Sequence, residues 1–387
     1  REEYCPFLSG GLPPVGMEVC DLILSPCQSA LYIRIDDMDQ SKIKELSQRV
    51  VNDTGGVFAI ALCYIGDRLG LFRAMADGKP LTSKELAQQT NLSERYVREW
   101  LKGLVAAEYV EYKQDSDRYF MTPEQASVLA DEDSSSFIGG AFQLTIPSIL
   151  NVRRVMDVFR KGGGLSYAEL GGEIAEGIDR LHRPAFRYLL AKEWLPGVPG
   201  LKERLDQGIS ILDVGCGLGR SSVVIGSAYP RSEILGLEPD AYSIERARSL
   251  AEESSVSNVE FLCATLEQLP KDKHYDLILA LDCIHDMADP VGALREIREA
   301  LTRDGIFFWV EPTGSHDPIE NRNPIGKMRA TISPLFCLTV SLADGGAGLG
   351  TIIGEVGARK LAAEAGFSSF EKLPIENPMQ QFFSLRR

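Results

Sequence analysis

The sequence predicts an α/β protein: a doubly wound, largely parallel sheet in the C-terminal half, behind a mainly helical N-terminal domain of winged-helix type. Three observations predict it. From residue 201 onward, apolar strand-like runs alternate with helical stretches. The first of these runs, 209–214, ends in Asp213 and leads into glycines at 215, 217 and 219. Upstream, between residues 46 and 135, three helical patterns are followed by two short alternating runs around a polar turn.

Residues 1–45 contain Gly10-Gly-Leu-Pro-Pro14 and Ser25-Pro26, which break regular elements, so an irregular arm is expected there. Residues 46–135 are expected to form the winged helix. An apolar helix runs over 57–72 and ends near Gly70, and Thr82-Ser-Lys-Glu85 has the spacing of a capping box for a second. Ser93 caps a third, with Tyr96, Val97, Trp100, Leu101, Leu104 and Val105 at helical spacing. The runs 109–112 and 118–121 then make a hairpin around 114–117. A winged helix suggests DNA, but the charges oppose it. Over 81–121 six basic residues face seven acids, with Asp115 and Asp117 at the wing tip, so nothing neutralises phosphates. Dimerisation is the expected role. Residues 136–200 are expected to be a helical connector and substrate lid, with an apolar helix over 142–159, an interruption at Lys161-Gly-Gly-Gly164 and a boundary at 194–200.

From 201 to 387 the expected strands are 209–214, 233–237, 259–263, 275–281 and 305–311. Helices over 221–228, 243–254 and 291–301 separate them, and 357–365, 367–370 and 382–385 close the chain. In such a sheet the ligand lies beyond the carboxyl ends of the strands. The residues to weigh there are Asp213, Gly215, Cys216, Gly217 and Gly219, then Glu238 and Pro239 after the second strand. Thr265 and Leu266 follow the third strand, Asp282, His285 and Asp286 the fourth, and Glu311 ends the fifth. Glycines let the backbone turn tightly beside a ligand, and a carboxylate at the second strand end accepts from ribose hydroxyls. A dinucleotide loop is spaced G-x-G-x-x-G. Here Asp213 leads Gly215, Gly217 and Gly219, and an acid beside the turn repels a pyrophosphate but tolerates an ammonium or sulfonium group.

A net charge of −14 argues against nucleic acid or an anionic membrane as main partner, and no window has the ~20 apolar residues of a membrane helix. The eight cysteines form no C-x-x-C pair and no zinc spacing, which fits a reduced, cytoplasmic compartment. Cys263 and Cys283 read as small core residues. No metal is implied by sequence spacing. Of the four histidines, His182 and His274 lie in polar contexts that read as surface, and His316 lies in a glycine-containing loop. His285, after the fourth strand, is the candidate base.

The Asp213 to Gly219 segment with Glu238 resembles motif I of the class I S-adenosylmethionine-dependent methyltransferases, whose catalytic domain is Rossmann-like. The domain order resembles the small-molecule O-methyltransferases, in which a His in a His-Asp-x-x-x-(Asp/Glu) element after strand four is the base; Ile284-His-Asp-Met-Ala-Asp289 matches it. Asp282-Cys-Ile-His-Asp-Met-Ala-Asp-Pro290, Val310-Glu-Pro312 with Glu320-Asn-Arg-Asn-Pro324, and Ser341-Leu342 with Gly345-Gly-Ala-Gly-Leu-Gly350 resemble signatures of a group of methyltransferases in bacteria, fungi and animals, some described as transcriptional regulators. The resemblance implies S-adenosylmethionine as cofactor and a small-molecule methyl acceptor; a homodimer joined through the N-terminal domain is expected beside them, as the alternative to DNA binding. It implies His285 as base, oriented by Asp286 or Glu311, and Thr265 where the family usually has an Asp for the adenine amino group. It leaves the acceptor atom open between oxygen, nitrogen and carbon. The rival is a DNA-binding regulator that senses the cofactor or a metabolite. Residues 321–324 and 335–338 are candidates for the acceptor wall.

Overall fold

The structure is a computed structural model that describes residues 38–387. The chain divides into a short unit ending at Thr54 and a body from Gly55 to Arg387. Helix α1, Gln40–Arg68, begins in the first and continues into the second. Most of the arm expected to be irregular lies outside the described residues. Its end, 40–45, is helical, in a stretch to residue 54 that lacks glycine and proline.

Gly70, at φ 72°, ends this rod, as only a residue without a Cβ does cheaply. Helices α2 (Leu71–Met75), α3 (Ser83–Thr90) and α4 (Glu94–Ala106) follow, then strands β1 (Glu111–Lys113) and β2 (Arg118–Phe120) and helix α5 (Pro123–Leu129). The Thr82–Glu85 capping box forms as expected. Ser93 stands at the N-cap of α4, but its hydroxyl makes no cap bond. Val97, Trp100, Leu101 and Leu104 bury one face of α4 against Phe72 and Met75. Tyr96, expected on that face, points outward and is 80% exposed.

The apolar stretch expected as one helix over 142–159 is two, α6 (Gly139–Leu150) and α7 (Val152–Lys161), separated at Asn151. Pro147 lies inside α6 and removes a backbone donor near its end. Helices α8 (Tyr167–Leu170) and α9 (Gly172–Ala185) follow, and α9 runs on as a π-helical segment, Phe186–Trp194. Helices α6 and α9 touch along their backbones: a Cβ on Gly140 would lie 2.2 Å from the Leu181 nitrogen. Glycine is therefore required at that crossing.

The α/β part starts with α10 (Leu201–Gln207) and alternates β3 (Ser210–Val214), α11 (Arg220–Ala228), β4 (Glu233–Glu238), α12 (Ala241–Glu253) and β5 (Val259–Cys263). It continues through β6 (Tyr275–Leu281), α13 (Pro290–Ala300) and β7 (Leu301–Pro312). An insertion, α14 (Pro324–Ile332) and α15 (Cys337–Ala343), precedes α16 (Gly354–Glu364), β8 (Ser369–Lys372) and β9 (Gln380–Arg386). The seven strands lie in the order β5-β4-β3-β6-β7-β9-β8, and β9 runs opposite to the other six.

Alternate residues of the central strands enter different cores, the sign of a sheet covered on both sides. Ile211, Leu277 and Phe308 pack with Leu190, Leu201 and Ile225, under the π-helical segment, α10 and α11. Leu212, Ile278 and Phe307 pack with Leu294, Ile297 and Leu361, under α13 and α16. The chain winds one way from β3 to β5 and the other way from β6 onward. The crevice between the ends of β3 and β6 is thus the switch point where ligands bind.

Candidate active site

The loop after β3 forms one wall. Asp213 is 1% exposed, and its Oδ2 accepts from the hydroxyls of Ser221 and Ser222 at 2.5 and 2.6 Å. The acid therefore anchors the start of α11 to the strand, and burial raises its carboxyl despite those two bonds. Gly215, Gly217 and Gly219 all have left-handed φ, of 66°, 52° and 80°. A Cβ on Gly219 would strike Ala247 and Phe261, whereas one on Gly217 would meet nothing within 4 Å. Gly219 is there for packing; Gly217 turns an open backbone edge to the crevice. Cys216 sends its side chain into the cluster with Phe261 and Ile244, so only its backbone faces a ligand.

Glu238 ends β4. Its Oε2 accepts from the Gly217 nitrogen and its Oε1 from the Asp240 nitrogen, each at 3.2 Å, across Pro239. Burial raises this carboxyl against those bonds. Each oxygen keeps a free lone pair for two further donors. The exposed Thr265 and the buried Leu266 open a short 3-10 turn, and the Thr265 side chain accepts from the Gln268 backbone. Arg220, at the start of α11, is tied to Asp179 of α9 by bonds of 2.6 and 2.5 Å.

The loop after β6 forms the opposing wall. Asp282 holds a left-handed φ of 64°, uncommon outside glycine and a mark of a constrained position. Its Oδ2 lies 3.0 Å from His182 Nε2 and 3.9 Å from Arg329 Nη1. Burial works against its charge, yet His182 and Arg329 hold its carboxyl well below the usual carboxylate range. His182 is thus no surface residue: helix α9 brings it into the site, and sequence context gave no sign of this. His274 is exposed, with its ring Nδ1 at the Asp272 carbonyl, and His316 is also exposed.

His285 lies in a 3-10 turn, Ile284–Asp286, and is 2% exposed. Its Nδ1 is 2.6 Å from Oε2 of the fully buried Glu311. In the tautomer that donates from Nδ1 to Glu311, the ring presents Nε2. Glu311 Oε1 accepts from Trp309 Nε1 at 2.7 Å, which fixes the carboxylate plane. Nε2 faces Asp286 Oδ1 at 3.4 Å and the Cys337 thiol of α15. Burial alone would favour the neutral ring, but Asp286 and Glu311 outweigh it and raise His285 well above its ordinary value. Burial pushes Asp286 up to about 6, against the attraction of His285. Residues far apart in sequence therefore converge. His285, Asp286 and Cys337 form one cluster, and Asp282, His285 and Glu311 another, each with its ligating atoms within 4.8 Å of one another.

Side chains from the connector and the insertion close the space. Tyr167 stacks edge-on against Phe336 at 5.4 Å and 84°. It is held among protein groups, with Asp286 and Cys337 near its hydroxyl, yet 38% of its surface stays open, as for a residue that lines a cleft. Phe336 and Cys337, from the stretch 335–338, are buried in the cluster with Leu170 and Ile174. Residues 321–324 instead shape the turn before α14, where Asn321 and Asn323 bond to nearby backbone. Cys263, expected in the core, is exposed, and Cys283 is half-buried with its thiol on the Val214 carbonyl at 3.3 Å.

Residues 57–131 match the Rv2258c-like winged HTH domain, and residues 205–332 match a methyltransferase domain. The chain joins a winged helix-turn-helix domain to a methyltransferase domain. An uncharacterized methyltransferase of Bacillus subtilis, YcgJ, is 33% identical over 122 residues, which is 31% of this chain and 47% of that protein. The chain thus spans about half the length, or less, of the curated relatives it matches. Mitomycin 7-O-methyltransferase MmcR superposes with a TM-score of 0.67 at 18% identity, over 90% of this chain and 100% of that one. Human N-acetylserotonin methyltransferase, in complex with S-adenosylmethionine, gives 0.65 at 16% identity, over 88% and 98%. At that identity the likeness shows the fold: the Rossmann-like methyltransferase sheet with a helical N-terminal domain.

Proposed function

We propose that the chain moves a methyl group from S-adenosylmethionine to an oxygen or nitrogen of a small molecule, with His285 as the base. The observation that carries this is the buried His285–Glu311 pair, set at the switch point across from the glycine loop. The methyltransferases among its relatives and fold neighbours support the same reading, as does the S-adenosylmethionine held by the human neighbour. The cofactor supplies a methyl on a sulfonium, already activated for displacement. Glu238 would hold the ribose hydroxyls through its free lone pairs, and the open Gly217 edge lets the backbone approach. Thr265 and Leu266 would border the adenine. Asp213 acts by fixing α11 beneath the loop.

His285 Nε2 takes the proton that an acceptor O–H or N–H gives up as it attacks the methyl carbon. The bound cofactor would supply that methyl carbon and would keep the electron pair of the broken carbon–sulfur bond on its sulfur. Glu311 keeps Nδ1–H in place and stabilises the imidazolium that forms. Asp282 is held by His182 and Arg329 beside this dyad, so helices α9 and α14 position the loop.

Calorimetry with S-adenosylhomocysteine tests the cofactor assignment. Wild type should bind, and Glu238→Ala should bind at least ~10-fold more weakly, the scale of one lost charge-assisted contact. No binding by wild type would end the reading.

The N-terminal region is proposed to dimerise. Helix α1 leaves Leu46, Val50, Val51 and Phe58 more than half exposed, at 58%, 56%, 63% and 68%. A row of apolar residues of that kind marks an association surface. Two of the basic residues of α4, Arg95 and Arg98, pair with Glu99 and Glu94, which disfavours DNA binding there. Val50→Asp with Phe58→Asp should convert a dimer to a monomer in sedimentation velocity; a monomeric wild type would remove the proposal. Among the described residues no helix is long and apolar enough to cross a membrane.

A further inference from the structure

Two carboxylate oxygens of the site, Asp282 Oδ1 and Asp286 Oδ1, are buried without a hydrogen-bond partner. They flank His285, 4.0 Å from Nδ1 and 3.4 Å from Nε2. Only 10% of the Asp282 side chain is exposed, and 13% of that of Asp286. A buried acceptor left without a hydrogen bond is costly, more so when charged, so one kept in a folded protein points to a functional role such as ligand binding. The other charged groups nearby have charged or polar partners, although Arg329 Nε is itself buried without a hydrogen bond. His182 and Arg329 lie on Asp282 Oδ2, and Glu311 is shared between His285 and Trp309. Asp286 therefore has no cation beside it other than the His285 ring, and the Cys337 thiol also bonds to its side chain. Next to it stand Tyr167, with much of its surface open, and Phe336 edge-on against it. An aromatic face beside a carboxylate oxygen that lacks a hydrogen bond is an arrangement that suits an organic cation.

We propose that the methyl acceptor is a small amine that binds as an ammonium ion, with its charge against Asp286, backed by Asp282, and its apolar body along Tyr167 and Phe336. This rests on the methyltransferase reading and names the chemical class its site takes. Where the amine is itself the nucleophile, its ammonium proton passes to His285 Nε2 before nitrogen attacks. Where a hydroxyl of the same molecule is the nucleophile, the ammonium anchors it. Burial raises the Asp286 carboxyl to about 6, and a bound cation would draw it back down. A carboxylate-bearing acceptor would meet two like charges.

Three probes that differ only in their terminal group test this: tyramine, tyrosol and 4-hydroxyphenylacetate. Each is titrated by calorimetry into full-length protein saturated with S-adenosylhomocysteine and treated with chelator. Tyramine should bind at least ~10-fold tighter than tyrosol, the worth of one desolvated charge pair, and 4-hydroxyphenylacetate weakest. Asp286→Asn should erase the tyramine preference while binding S-adenosylhomocysteine as wild type does. Equal binding of tyramine and tyrosol, a carboxylate preference, or no tyramine binding would overturn the proposal. So would a site that takes Mg²⁺ or Zn²⁺ stoichiometrically and excludes tyramine. S-adenosylhomocysteine binding is read first in every arm, so failure of the cofactor assignment appears separately from failure of the cation assignment.

Discussion

Replacing His285 with alanine should lower methyl transfer by roughly 10²–10⁴-fold, the usual contribution of a positioned base. Affinity for S-adenosylhomocysteine should stay within about twofold, because a base lost from the transition state alone leaves ground-state binding intact. The ring lies in the turn after β6, whereas the proposed cofactor contacts come from β3, β4 and the turn after β5. Stability needs a control. Removing His285 leaves Glu311 buried with only Trp309 as partner, and breaking a buried pair costs about 3–5 kcal/mol. His285→Gln keeps a donor within reach of Glu311 and should preserve folding while still losing turnover. A loss below about tenfold in both variants would remove His285 as base and favour transfer by alignment alone.

How far this site was legible in the sequence depends on how local each signal is. The strand–glycine–helix–strand–acid run fits within thirty residues, so Asp213, the glycines and Glu238 could be placed from their order alone. The alternation of strands and helices could be read for the same reason, since each period is local. What the spacing could not show was which way a side chain points. Asp213 turned out to be spent on Ser221 and Ser222, whose positions one turn into α11 are visible only once the helix is built. Cys216 faces a hydrophobic cluster, although it stands between two loop glycines. His182 lies 100 residues before Asp282 in the chain and meets it at 3.0 Å, a pairing no sequence window contains. Tyr167 and Cys337 converge on Asp286 and His285 from opposite ends of the connector and insertion for the same reason. The π-helical run Phe186–Trp194 keeps ordinary helical composition, so its altered hydrogen bonding left no trace to read.

Glu311→Gln should cost turnover of order 10³–10⁴-fold, the scale at which a histidine base held in the wrong tautomer fails. The carboxylate accepts twice, from Trp309 Nε1 at 2.7 Å and from His285 Nδ1 at 2.6 Å. An amide of the same shape has one acceptor and one donor end. If its oxygen serves Trp309, its NH₂ meets Nδ1, which must then accept; the proton moves to Nε2 and the base is lost. If its oxygen serves His285, its NH₂ confronts the buried Trp309 N–H and the ring is displaced. The pH profile separates this from simple unfolding. A base works when neutral, so wild-type kcat/KM should rise with pH and level off only above the ordinary histidine range. Burial works toward a lower value there, but Asp286 and Glu311 raise His285 well above it. Removing Glu311 subtracts one raising charge and leaves burial unopposed to that extent. The residual activity of Glu311→Gln should therefore level off at lower pH than wild type, as should that of Asp286→Asn. An unchanged midpoint in both variants, with activity reduced, would show that the observed limb belongs to another group.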